Sequence, residues 1–290
     1  MTLSRLPLLA ALLMAGSAFA AGPIGPARLV QPGTVSAQKN EYNLSASDDA
    51  RTMVFARSEA EFAGSKIMVA QRRAGRWSRP VPIGFSDDRY RDSDPWLTPD
   101  GRTLYFVSDR PTASRGDRRD LDIWRSARRA DGGWGAPEHL GDIVNGKGEE
   151  LGPELHGGTL YFATARRSGK GGLDVYAAER TADGFAAPKL MPDPINSTAS
   201  ESDFTLSRDG RLALFWRQVD GRGLIHVARR AADGGWSEPR PLPDGVNVGP
   251  FNFTPALSAD GRRLTFASTR LREGQAEGMA DIYQIELTTD

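Results

Sequence analysis

Five positions share one chemical character: Glu41, Asp92, Glu150, Glu201 and Asn252 are four carboxylates and an amide, spaced 51, 58, 51 and 51 residues apart. Carboxylates gathered at one place could hold a cation, bind a cationic ligand group, or do acid–base work. Glycoside hydrolysis, for example, needs two of them about 5–9.5 Å apart, one with a raised pKa. Calcium would need several oxygens converging at about 2.3–2.6 Å; otherwise no cofactor is implied. Arg110, Arg166 and Arg270 recur downstream of three of these positions and could neutralise the same group. The competing role is local, because short acidic side chains readily accept hydrogen bonds from the backbone of their own turn.

The even spacing belongs to a repeat. Three residues after each of the five begins a similar segment: 44–55, 95–106, 153–162, 204–215 and 255–266. Four of these carry a turn dipeptide at the centre (Asp49-Ala50, Asp100-Gly101, Asp209-Gly210, Asp260-Gly261), and the third has the shorter His156-Gly157-Gly158. A unit of this length built from short β-branched and aromatic runs predicts a propeller rather than a helical solenoid. In the second unit the expected strands are 94–98, 103–107 and 121–126, with an outer one over 134–140 where Pro137 suits an edge. Phe55, Phe106, Phe162, Phe215 and Phe266 form a packing column between neighbouring sheets. Trp77, Trp134, Phe185 and Trp236 recur at the outer turn as plugs.

The fifth unit ends on a third strand, so the segment around Pro26 to Leu29 is expected to supply the missing outer one. The fold class predicted is therefore all-β: a five-bladed β-propeller of four-stranded antiparallel blades, closed by pairing of the N-terminal strand with the last blade, one domain over 21–290. Tight turns gather on one face, expected to be compact. The long connections gather on the opposite, top face, where loops on a rigid scaffold carry binding. On this topology the five polar residues ring the mouth of the central channel as ligand-binding groups, with Arg110, Arg166 and Arg270 beside them.

Charge is balanced, 37 basic against 37 acidic residues, which removes the electrostatic footprint of a nucleic-acid binder. Residues 1–20 combine Arg5, an apolar run and Ala18-Phe19-Ala20, the pattern of a cleaved secretory signal. No later stretch has membrane-spanning length, and the sequence contains no cysteine, so the exported domain would stand on packing alone. These features predict a periplasmic or secreted monomer without a membrane span. Asp122, Asp174 and Asp281 recur before the third strands and are expected to brace loops. His139, His156 and His226 share no metal spacing, and no G-x-S-x-G elbow is present.

The run Ser93-Asp94-Pro95-Trp96-Leu97-Thr98-Pro99-Asp100-Gly101-Arg102-Thr103-Leu104-Tyr105-Phe106, followed by Leu121-Asp122-Ile123-Trp124, resembles the PD40 (WD40-like) repeat of the TolB propeller. The resemblance extends over nearly all of the chain after residue 20. It implies a periplasmic binding or scaffolding protein, its TolB relatives contacting envelope lipoproteins. The chain departs from TolB in having five units rather than six and no α/β segment ahead of them. The expectation is a non-enzymatic propeller binding a protein or envelope component through its top-face loops. The alternative is a glycoside hydrolase or carbohydrate-binding protein, since five-bladed glycosidases are similar in placing acids on successive inner strands.

Overall fold

In a computed structural model, which describes residues 23–287 apart from 114, 115, 117 and 244, the five units form five antiparallel sheets. The signal segment expected over 1–20 lies outside the described residues. The second blade shows the plan: Asp92–Leu97 innermost, then Thr103–Ser108 and Asp122–Ala127, with Glu138–His139 outermost. The outer strand is much shorter than expected because Pro137 has no N–H to extend the ladder. In the first and third blades a further two-residue strand, Arg76–Trp77 or Gly184–Phe185, pairs with the end of the third strand before the outer one.

The ring closes as expected. Pro23–Leu29 pairs antiparallel with Asp281–Leu287, from Pro23 opposite Leu287 to Leu29 opposite Tyr283, and becomes the fourth strand of the last blade. Leu29 and Ala27 pack there against a core that includes Phe266 and Ile285. Four of the five tight turns between first and second strands are each fixed by one aspartate. Asp100 Oδ1 accepts from Thr98 Oγ1 at 2.6 Å and from the Arg102 N–H at 3.0 Å, and Asp49, Asp209 and Asp260 repeat the arrangement.

The phenylalanine column is fully buried, as are Ile67, Ile123, Val175, Ile225 and Ile282 on the third strands. Trp134, Phe185 and Trp236 are buried plugs, with the guanidiniums of Arg128 and Arg230 over the two tryptophans at 5.8 and 5.3 Å. A further repeated device lies behind them. Asn145, Asn196 and Asn247 each accept the N–H and donate to the carbonyl of one third-strand residue, Ile123, Val175 and Ile225, standing in for a missing length of outer strand.

Candidate functional site

The column singled out by its spacing lies inside the blades rather than at either cavity. Glu41, Asp92, Glu150, Glu201 and Asn252 are fully buried, and none of them lines either of the two cavities described below. Each acid is held by an arginine of its own blade: Arg57 to Glu41 at 2.8 Å, Arg110 to Asp92 at 2.7 Å, Arg166 to Glu150 at 3.3 Å and Arg217 to Glu201 at 2.7 Å. Further contacts are local: the Ala37 and Ser197 N–H groups donate to Glu41 Oε2 and Glu201 Oε2, and Thr164 Oγ1 donates to the same Glu150 Oε1 that Arg166 holds. In the fifth blade the amide of Asn252 replaces the acid. Arg270 turns there to the carbonyls of Gly245 and Val246 and reaches Asn252 through Ser268.

Every one of these arginines also lies over the phenylalanine of its strand, at 5.2–5.6 Å from the ring centre. Arg57, Arg166 and Arg217 carry the brace onward to the carbonyls of Val35, Val144 and Ile195 in the inter-blade loops. Burial pushes Glu41 up to about 7 and Asp92 up to about 6 even against their arginines, and raises Glu150 as well. Arg110, Arg166 and Arg270 thus belong to blade bracing. Arg57 and Arg217 escaped the sequence reading because they stand two residues after the phenylalanine, not four. Side chains two apart on a strand share a face, so both spacings reach the same acid.

The residues that do face the channel lie two positions further along. All five innermost strands contain a one-residue bulge, between Tyr42 and Ser45, Ser93 and Trp96, Leu151 and Glu154, Ser202 and Thr205, and Phe253 and Ala256. At each bulge one residue takes left-handed backbone: Asn43 (φ 49°), Asp94 (47°), Gly152 (56°), Asp203 (54°) and Thr254 (48°). Asparagine, aspartate and glycine tolerate this conformation, which is the one trace of the bulge in the sequence.

The bulge residues form a belt around the axis. The Thr254 N–H donates to Asp203 Oδ2 at 3.1 Å, the Asn43 N–H to Thr254 Oγ1 at 3.2 Å, and the Gly152 N–H to Asp94 Oδ2 at 2.9 Å. Gly152 is where the two carboxylates meet. A Cβ there would stand 3.1 Å from Asp203 Oδ1 and 3.2 Å from the Asp203 backbone nitrogen, so the missing side chain leaves them room. Burial raises Asp94. It also pushes Asp203 up to about 7, with the charge of Asp94 adding to the shift.

The belt separates two cavities. Below it the tight turns surround a funnel of about 1030 Å³ that takes in Glu154 and His156, so the face expected to be compact is hollow. Five sheets splayed about an axis leave this space open. Burial pushes Glu154 up to about 7 although its Oε1 accepts the Leu206 N–H from the next blade. Above the belt is a smaller pocket of about 290 Å³, floored by Asp94 and Asp203. One wall is a chain of rings, Phe62 to Tyr42 at 5.0 Å, Tyr42 to Phe253 at 5.9 Å, Phe253 to Phe251 at 4.5 Å and Phe251 to Trp216 at 5.4 Å. Tyr42 and Phe253 occupy the column held by Ser93, Leu151 and Ser202 in the other blades, so the wall is built where the repeat is broken.

The remaining sequence candidates are local braces. Asp174 accepts the Lys170 and Gly171 N–H groups, Arg272 holds Asp281, and His139 Nε2 lies 3.0 Å from Asp122. Among the described residues no three His, Asp or Glu side chains gather closely enough to hold a metal ion, and no helix is long and apolar enough to cross a membrane.

No protein-family model and no curated protein sequence matches this chain. Solved structures do. A thermostable family-43 glycoside hydrolase aligns over 87% of this chain and 91% of its own, with a TM-score of 0.59 at 10% identity. The catalytic domain of the Coprinopsis cinerea GH62 α-L-arabinofuranosidase aligns over 91% and 98%, with a TM-score of 0.52 at 14% identity. TolB from Acinetobacter baumannii aligns over 86% of this chain with a TM-score of 0.50 at 12% identity, and the chain spans only 55% of that protein's length. What these likenesses establish is the fold: the chain is a five-bladed β-propeller similar in architecture to TolB and to the family-43 and GH62 glycoside hydrolases alike.

Proposed function

We propose that this chain is an exported propeller of the PD40 type, periplasmic or secreted, that works by binding and receives a protein or envelope component on its top face. The observation that carries this is the placing of exposed apolar side chains. Among the described residues, Phe62 (39% exposed), Ile143 (61%), Val248 (55%) and Leu271 (77%) are large, apolar and on the loops after second strands or between blades. Val81, the fifth such residue, sits on an outer strand. Phe62, on the first blade, is also the end of the aromatic wall of the upper pocket, and Val248 and Leu271 lie on loops that lead into and out of the first two strands of the adjoining fifth blade. Large apolar side chains exposed on the loops of one face of a rigid scaffold are a mark of a contact surface.

The test is cross-linking in the producing cell followed by mass spectrometry of the captured partners. Changing Phe62, Val248 and Leu271 together to serine should remove the principal cross-linked partner, while Val81→Ser keeps it and both variants melt as the parent does. The same partner captured by the triple variant would overturn the proposal.

Glycoside hydrolysis is the second reading, and one observation favours it: Asp94 and Asp203 are two carboxylates meeting at the channel. They are not the acids the spacing picked out. Hydrolysis needs one ionised carboxylate beside one protonated, whereas here burial raises both, and both accept backbone N–H groups of neighbouring blades. Turnover of an aryl α-L-arabinofuranoside that disappears in Asp94→Asn and Asp203→Asn would establish this reading in place of the first.

A further inference from the structure

The upper pocket combines features that select one kind of occupant. We propose that it binds an alkylammonium group on an apolar stem, the chemistry shared by a lysine side chain and a free aliphatic amine. This rests on the top face being the binding face, and on nothing about who the partner is.

Charge is the first argument. The buried acids two residues upstream each have an arginine, but Asp94 and Asp203 have no cationic partner among the described residues: their contacts are backbone N–H groups and the hydroxyls of Ser93 and Ser202. Arg91, the cation in the pocket wall, is already held by Asp109 at 3.1 Å and lies 4.0 Å from Glu149. Glu61 and Glu149 add further negative charge to the lining. An anion would meet carboxylates on the floor and the rim. A cation would relieve them.

Hydrogen bonding is the second. An ammonium has three donors and no acceptor. The floor offers acceptors from three blades, the carboxylates of Asp94 and Asp203 and the Oδ1 of Asn43, a buried oxygen with no hydrogen-bond partner. Tyr42 Oη, Ser93 Oγ and Asp94 Oδ1 follow one another at 3.0 and 2.8 Å, so the rim hydroxyls are already committed to the carboxylate and orient it.

The third argument is the wall. Aromatic faces attract a cation and pack against an alkyl stem at once, and the rings from Phe62 to Trp216 form one continuous surface beside the acids. At about 290 Å³ the pocket is at the bottom of the size range of small-molecule sites, fitting one side chain rather than an oligosaccharide.

The experiment compares n-pentylammonium with 1-pentanol, its neutral isostere, by calorimetric titration into the unaltered full-length protein. The amine should bind at least tenfold more tightly than the alcohol, and Asp94→Asn with Asp203→Asn should abolish that preference. Equal binding of amine and alcohol, or a preference unchanged in the double variant, would overturn the proposal. The first comparison uses the parent chain, so it stands even where the variant fails to fold. Binding of Nα-acetyl-lysine methylamide as well supports a polypeptide lysine as the source, and pentylammonium alone supports a free amine. A melting midpoint raised by calcium and not by pentylammonium would make the belt a metal site and overturn it. Loss of the cross-linked partner from the apolar-rim variant, with no amine binding, would overturn the ammonium site alone and leave the top-face reading standing.

Discussion

A carboxylate with no solvent around it depends on the group that neutralises it, and Glu150 shows how completely. Its Oε1 meets Arg166 and Thr164, and Arg166 in turn covers Phe162 and reaches the Val144 carbonyl, so one guanidinium holds an acid, a ring and a loop. Removing one member of such a pair strands the other charge, which costs more than the pair itself contributes. Arg166→Ala should therefore lower unfolding free energy by about 3 kcal/mol in a urea titration. Adding Glu150→Gln to that variant should restore part of the loss, because the stranded charge is gone. An Arg166→Ala protein as stable as the parent would show that the arginine tier does not brace the blades. Asp94 and Asp203 are the contrast, acids of the same strands with no arginine partner among the described residues, and that difference separates a structural residue from a candidate for binding.

At the scale of the strand, two features decide what reaches the channel: the bulge and the closing strand. The closing strand was legible, because the fifth unit stops after its third strand and a propeller edge must be covered. Val30 continues it, packing with Phe55 and Ile282 and donating its N–H to the Ile282 carbonyl. Deleting 21–30 should thus lower unfolding free energy by more than about 4 kcal/mol, the range of exceptional single lesions, since it uncovers a whole strand. A melting midpoint equal to the parent's would show that the pairing contributes nothing. The phenylalanine column, the Asp-Gly and Asp-Ala turns and the outer plugs were equally plain, each stated five or four times over. The bulge was not. One extra residue in the innermost strand leaves the apolar pattern intact, and alternation alone cannot say that Asp94 rather than Asp92 faces the axis. Left-handed backbone at Thr254 even contradicts its residue type, and it is held by the Asp203 carboxylate. The aromatic wall was hidden for the opposite reason: Tyr42 and Phe253 depart from their column, and a reading built on sameness passes over what differs.

The whole molecule carries acids that bind their protons more tightly folded than unfolded, and this sets a pH response that belongs to no single blade. Burial holds Asp203 and Glu154 up to about 7, whereas unfolded Asp and Glu release their protons near 4. From about pH 4 to 7 the native chain keeps protons the unfolded chain has lost. The stability from these two groups is full below the unfolded values and is lost as pH rises through about 7. Other groups act in the opposite sense. Burial lowers His156 and His226, and hydroxyl and backbone bonds lower the turn acids Asp49, Asp100, Asp209 and Asp260, so their contributions fade on acidification. The parent's curve mixes both signs, and a difference between variant and parent isolates one of them. Asp203→Asn combined with Glu154→Gln keeps the shape and a carbonyl acceptor at each site while removing the charge. Its melting midpoint should match the parent's at pH 5, where the parent's two acids are themselves neutral, and exceed it at pH 8, where the parent must either ionise them against the cost of burial or unfold. A difference that stays constant from pH 5 to 8 would mean that neither acid titrates in that range in the folded protein, and that burial does not raise them.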